Sequence, residues 1–248
     1  MEQHKPLFFI GLHKVNHAVL FDRSMISINI LEHRRSDFSP HDWILDSGAF
    51  TRIRSGKGHL PSLDYARMCG RWSRCGNMVA AVVQDWMCEP FILEITGLTV
   101  SIHQDKTVQS FQDLKQLCDP SIYIMPVLQG FEPSDYVRHL DKYDGLLCYG
   151  EWVGVGSVCK RNSTPASVER VLLAIASQRP DLRLHGFGIK KTALKSPIVN
   201  KLLYSCDSLA WSYAARKAGL NPTCPEYAES YRQKIDSMPV QLMLPGGY

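Results

Sequence analysis

The chain has 248 residues, 45% of them hydrophobic, and 28 basic against 24 acidic side chains give a formal net charge of +4. That length is ample for one large core and is common among single-domain α/β barrels. The near balance of charge excludes an overall polycation and leaves any nucleic-acid-binding face to local placement. The apolar run at 7–12 is broken by His13 and Lys14, and no later run approaches a bilayer span, so neither a secretion signal nor a membrane partner is predicted and a cytoplasmic protein is expected.

Apolar runs with polar ends mark strands at 7–12 (LFFIGL), 43–48 (WILDSG), 78–85 (MVAAVVQD), 122–130 (IYIMPVLQG), 146–157 (LLCYGEWVGVGS) and 183–189 (RLHGFGI). Less regular runs at 24–30 and 208–212 add two more. Helical spacing falls between them, at 63–75, 107–118, 133–143 and 225–235. The clearest case is 163–180, where Thr164 is placed to cap, Pro165 enters the first turn, and Val168, Val171, Leu172 and Ile175 share a face.

Continuous apolar strands alternating with helices predict a parallel sheet buried on both faces. Eight such units in this length predict a (β/α)8 TIM-like barrel spanning 1–248 as one domain, with an open doubly wound sheet as the alternative. Eight cysteines are scattered without a C-x-x-C pair, which argues for reduced thiols rather than a disulfide framework or a zinc ribbon.

In such a fold, polar residues at the C-terminal ends of strands converge on one rim, the usual place for an active site. Four strand ends carry them: Asp46 in ILDSGAF, Asp85 in AVVQDW, Gln129 in MPVLQG and Asp207 in CDSLAWS. Taken singly, each reads as a helix cap or a turn residue. Together, three carboxylates in one place repel one another and oppose burial, which chemistry explains more simply than stability does. Gly154, Gly156, Gly186 and Gly188 lie near the same ends, where a missing Cβ lets a ligand approach the backbone. The string GVGSVCKRN lacks the spacing of a phosphate-binding P-loop.

The ordered set DSGAF, QD, LQG, VGVGS, HGFG and DSLAWS, over roughly residues 43 to 216, resembles the tRNA-guanine transglycosylases. It is more similar still to their DNA relatives, the deoxypurine-in-DNA protein A family, which inserts 7-deazaguanines into DNA. The resemblance implies a barrel enzyme of a bacterium or a phage-infected host that exchanges guanine in DNA for a 7-deazaguanine base. Asp207 is then the nucleophile at C1′ and Asp46 the general acid/base. It further implies that Asp85, Gln129, Gly130 and the Gly156 backbone read the base edge and that Phe50 stacks on its face. His185 stands where the tRNA enzymes carry an apolar residue, and its role is open between stacking, hydrogen bonding and packing.

The tRNA enzymes' structural zinc rests on a tight cysteine cluster and a histidine, whereas only Cys206 and Cys224 fall in the matching region. No metal and no other cofactor is expected. Basic Lys160 and Arg161 follow the VGVGS segment where bacterial tRNA enzymes have a glutamate, which disfavours a cationic base and favours 7-cyano-7-deazaguanine. Arg52, Arg54, Lys160, Arg161, Lys190, Lys191 and Arg216 follow the strand ends and are expected to form a collar for DNA phosphates. The runner-up readings are the same chemistry on tRNA, a non-catalytic nucleic-acid-binding subunit, and an unrelated small-molecule barrel enzyme.

Overall fold

The computed structural model describes residues 5–159 and 164–239. All strand pairs among them are parallel. The strands are β1 (Leu7–Leu12), β2 (Arg23–Ser27), β3 (Asp42–Asp46), β4 (Asn77–Val82), β5 (Ile124–Met125), β6 (Val127–Leu128), β7 (Trp152–Val155), β8 (Arg183–Gly186) and β9 (Leu203–Ser208). They pair in the order β5-β4-β3-β2-β1-β9-β8-β7-β6. The two ends of that order, β5 and β6, are consecutive in the chain with only Pro126 between them, so the ladder returns on itself and makes a TIM-like barrel. Proline supplies no N–H, which divides this segment into one half that pairs with β4 and another that pairs with β7.

Short helices α1 (Ile28–Leu31) and α2 (Ala49–Arg54) follow β2 and β3, and α3 (Ser62–Trp72) leads into β4. Then come α4 (Pro90–Thr96), α5 (Val100–Leu117), α6 (Pro133–Lys142), α7 (Pro165–Gln178), α8 (Lys191–Leu194), α9 (Pro197–Leu202), α10 (Ala210–Lys217) and α11 (Pro225–Asp236). Val168, Val171, Leu172 and Ile175 are the buried face of α7, as their spacing predicts. Each such side chain taken from water stabilises the fold by about 1.5–3 kcal/mol. Thr164 occupies the N-cap position of α7, but its side chain makes no capping hydrogen bond.

Three expected strands differ: of 24–30 only Ser24–Ser27 is strand, since α1 begins at Ile28. In 146–157 only Trp152–Val155 pairs. The 208–212 run is not a strand: β9 ends at Ser208, and the alanine-rich AWSYAARK stretch coils into α10, where helix propensity outweighs the aromatic pair. Two large buried side chains of the core find carbonyl partners: Trp43 Nε1 donates to that of Cys75 (2.7 Å) and the Tyr65 hydroxyl to that of Val82 (2.7 Å).

Candidate active site

The C-terminal strand ends enclose a cavity of about 340 Å3 lined by Asp46, Phe50, Asp85, Gln129, Gly156 and Asp207, within the roughly 300–1,000 Å3 of small-molecule sites. Asp46 is the last residue of β3, Gln129 and Gly156 directly follow β6 and β7, and Asp207 is the penultimate residue of β9. Alternation along β9 turns Ser205 and Asp207 to the same face. A separate cavity of about 290 Å3, lined by Leu7, Phe8, Asp22 and Arg23, opens at the N-terminal strand ends. In barrels that end serves stability.

Asp85, Gln129 and Ser157 form one buried network. Gln129 Nε2 donates to Asp85 Oδ2, Ser47 Oγ donates to Asp85 Oδ1 (3.3 Å), and Ser157 Oγ lies 2.7 Å from Gln129 Oε1 and 2.8 Å from Glu89 Oε2. Ser157 also accepts the Cys88 N–H (3.0 Å), and it holds this place with a left-handed φ of 55°. Gly156 is needed for space: a Cβ there would come within 2.1 Å of Gln129 Nε2. Its N–H donates to the Leu128 carbonyl (2.9 Å) in the barrel ladder, and its carbonyl accepts the Tyr136 hydroxyl (2.8 Å). The Gly156 backbone, expected to read the base edge, thus has its N–H in the barrel ladder, and the missing Cβ makes room for Gln129. Gly130 lies outside the cavity lining, where an added Cβ would strike Asp135 of α6 at 2.6 Å, so its role is to let α6 pack.

The carboxylates are tuned apart from ordinary surface groups. Asp46 is hemmed in by protein while opening on the cavity. Desolvation, then the charge of Asp207, raises its pKa to about 6 against hydrogen bonds from Ser27 and the Gly48 backbone. Asp85 is raised to about 7 by burial and by the charge of Asp46, opposed by the Gln129 and Ser47 hydrogen bonds. Asp207 Oδ1 accepts the N–H of Gly188 (2.9 Å), a glycine at φ 62°. A proton donor beside an anchored carboxylate can support general acid–base catalysis next to nucleophilic attack.

His185 is wholly buried and lies beside Asp207, outside the cavity lining, with Nε2 3.4 Å from Asp207 Oδ1. Phe50 lines the cavity and also an adjoining cleft of about 490 Å3 that contains Lys190, Tyr213 and Arg216. The expected collar is thus only partly gathered. Arg52 is held inward by Glu32 (2.9 Å) and the Gly58 carbonyl (3.0 Å). Arg54 lies 5.9 Å from the Phe50 ring but lines neither cavity, and Lys191 turns to the Tyr231 ring (5.3 Å). Lys160 and Arg161 lie outside the described residues.

Glu89, Ser157, Ser27 and Ser47 take part in the site without having been singled out in the sequence. Glu89 precedes Pro90 at the N-cap of α4 and reads there as an ordinary cap, yet it is 3% exposed and lines the cavity. Among the described residues no group of three or more His, Cys, Asp or Glu side chains is placed to hold a metal ion. Cys206 is buried in β9 and Cys224 stands at the N-cap of α11. No helix among those residues is long and apolar enough to cross a membrane.

A parallel barrel that brings Asp46 and Asp207 to one cavity at its C-terminal rim defines the class: a TIM-like barrel with its candidate site where such barrels carry theirs. The chain belongs to the DpdA family, whose model, described as DeoxyPurine in DNA protein A, matches residues 24–235. That membership makes it a DNA-modification protein related to the transglycosylases, with DNA as its substrate. No curated protein matches the chain.

Proposed function

We propose that the protein exchanges guanine in DNA for a 7-deazaguanine by double displacement. The carrying observation is that Asp46 and Asp207 open on one cavity, close enough for the charge of one to raise the pKa of the other. A carboxylate oxygen of Asp207 attacks C1′, the bond from C1′ to N9 breaks, and its electron pair leaves with guanine as Asp46 delivers a proton. The incoming base then loses its N9 proton to Asp46, and N9 attacks C1′ to release Asp207 and restore the original configuration. The Asp85 carboxylate accepts the N–H donors of the purine edge, and Phe50 offers a ring face.

The target nucleotide leaves the stack to enter the cavity, at a cost of a few kcal/mol in duplex DNA. Lys190 and Arg216 in the adjoining cleft are suited to the neighbouring phosphates. No metal or other cofactor takes part in the proposed reaction. The proposed incoming base is 7-cyano-7-deazaguanine, because the basic Lys160 and Arg161 that follow the VGVGS segment disfavour a cationic aminomethyl group. Faster exchange with the aminomethyl base would reverse that choice and point to Glu89.

Incubation with radiolabelled guanine and either DNA or unmodified tRNA tests the reading. Label is expected in DNA with the native protein and absent with Asp207→Asn. Label entering tRNA alone transfers the chemistry to tRNA, and equal labelling by Asp207→Asn removes the nucleophile.

A further inference from the structure

Behind Asp207 lies a line of buried polar groups that the two displacements leave without a task. The register of β8 against β9 shifts between Leu184 and His185, so His185 pairs with Ser205 instead of Tyr204. Such irregularities re-aim side chains beside active sites. The shift sets the imidazole between the Ser205 hydroxyl and the carboxylate two residues further along β9. Trp152 Nε1 donates to Ser205 Oγ (2.8 Å), Ser205 Oγ meets His185 Nδ1 (2.9 Å), and His185 Nε2 faces Asp207 Oδ1 at 3.4 Å. His185 and Ser205 have no solvent exposure, and the rings of Phe9, Trp152 and Phe187 surround the imidazole.

The direction of this line follows from the donors available. An indole N–H can only donate, so Ser205 Oγ accepts from Trp152, and because its one proton has no other acceptor among the described residues it is directed at His185 Nδ1. With Nδ1 accepting, the ring proton stands on Nε2. That atom is sealed from water, and it makes no other hydrogen bond among the described residues. Its 3.4 Å separation from Oδ1 exceeds a hydrogen bond, and contacts of this kind tighten when substrate docks. Oδ1 also accepts the Gly188 N–H, so two donors converge on one oxygen of Asp207.

We infer that Trp152, Ser205 and His185 form a positioning relay that holds the imidazole as its Nε2–H tautomer, engages Oδ1 of Asp207, and thereby assigns Oδ2 as the atom that attacks C1′. The inference rests on Asp207 being the nucleophile. In the covalent intermediate Oδ1 is the ester carbonyl. When the bond from C1′ to Oδ2 breaks, the pair returns to the carboxylate and Nε2–H stabilises the charge that grows on Oδ1. His185 therefore assists the departure of Asp207 as well as its aim.

Two measurements on the full chain test this. With 15N-labelled histidine, His185, assigned by its loss in His185→Gln, is expected to show a protonated Nε2 and a bare Nδ1, and Ser205→Ala is expected to disturb that pattern. A proton on Nδ1, or an unchanged pattern in Ser205→Ala, overturns the relay. In base exchange, His185→Met fills the space without a donor and is expected to lower kcat roughly ten- to hundred-fold, the loss of one charge-assisted hydrogen bond, with KM unchanged to within about twofold. His185→Gln, whose amide nitrogen reaches towards the place of Nε2, is expected to recover most of the rate. Equal rates for the Met and Gln variants would reduce His185 to packing. If His185→Met does not fold, Ser205→Ala carries the kinetic arm, with a loss of about tenfold in kcat expected. A native protein that exchanges no guanine defeats the base-exchange reading while leaving the tautomer result standing. The wrong tautomer defeats the relay while leaving exchange intact.

Discussion

Gly156→Ala isolates the steric role found for that glycine. The added Cβ would lie 2.1 Å from Nε2, 2.5 Å from Cδ and 2.7 Å from Oε1 of Gln129. A real Cβ does not tolerate such contacts, so the amide, struck at both its nitrogen and its oxygen, must move and give up both Asp85 and Ser157. Losing a hydrogen bond to a charged group costs about 1.5–3 kcal/mol and a neutral one about 0.5–1.5 kcal/mol, which together predict a destabilisation of about 2–4 kcal/mol. For a chain of this size 1 kcal/mol moves Tm by roughly 2–4 °C, so thermal unfolding should fall by about 5–15 °C. Shortening the partner removes the clash: Gln129→Ala alone should lose the network, and adding Gly156→Ala to it should cost little more. The double-mutant cycle should therefore be strongly non-additive. A Gly156→Ala protein that melts within a degree of the native one, or a cycle that sums to zero coupling, would refute the steric account.

Under the proposed exchange, Asp46 makes opposite demands on pH in the two half-reactions. Guanine departure needs its proton, so kcat/KM for DNA should fall as pH rises through about 6. The incoming base needs the ionised form, and its kcat/KM should rise with pH at a lower midpoint, because esterified Asp207 no longer adds the charge that raises Asp46. A shared limb for both substrates would count against Asp46 as the shuttle. For stability, Asp85 is raised from 3.8 to about 7 on folding, so its ionisation disfavours the folded state, and the protonated form's advantage is lost as pH climbs from about 4 through about 7. The difference in Tm between Asp85→Asn and the native protein should accordingly shift in the variant's favour over that window, and a flat difference would contradict the shift. Lys190→Ala and Arg216→Ala should each flatten the slope of log affinity for DNA against log salt by about 0.7–0.9, whereas Lys191→Ala should leave it unchanged.

The barrel and the principal carboxylates were legible because both follow from local pattern. Apolar runs between helical spacings imply a parallel sheet, and a parallel sheet gathers its strand ends, so Asp46, Asp85, Gln129 and Asp207 could be placed on one rim before any coordinates. What stayed hidden depends on contacts made at long range. Lys190 and Lys191 are adjacent and chemically alike, yet α8 begins between them and sends them to different cavities. Glu89 looks like a surface cap until the Ser157 hydroxyl, 68 positions away in sequence, is found against it. Arg52 reads as one more basic residue until Glu32 is seen to claim it. The Gly156 backbone is expected at the base edge, and the sequence alone does not say that the Leu128 carbonyl of the neighbouring strand takes its N–H.

Pairing of β1 with β9 sets a condition on biosynthesis. The ring is sealed by its final strand, and that strand carries Asp207. A ribosome that has delivered everything up to α9 has made Asp46, Asp85, Gln129 and most of the wall, but neither the closure nor Asp207. Chains terminated early are therefore left with an open sheet edge and without Asp207, so under the proposed exchange an unfinished copy has no group to attack a sugar.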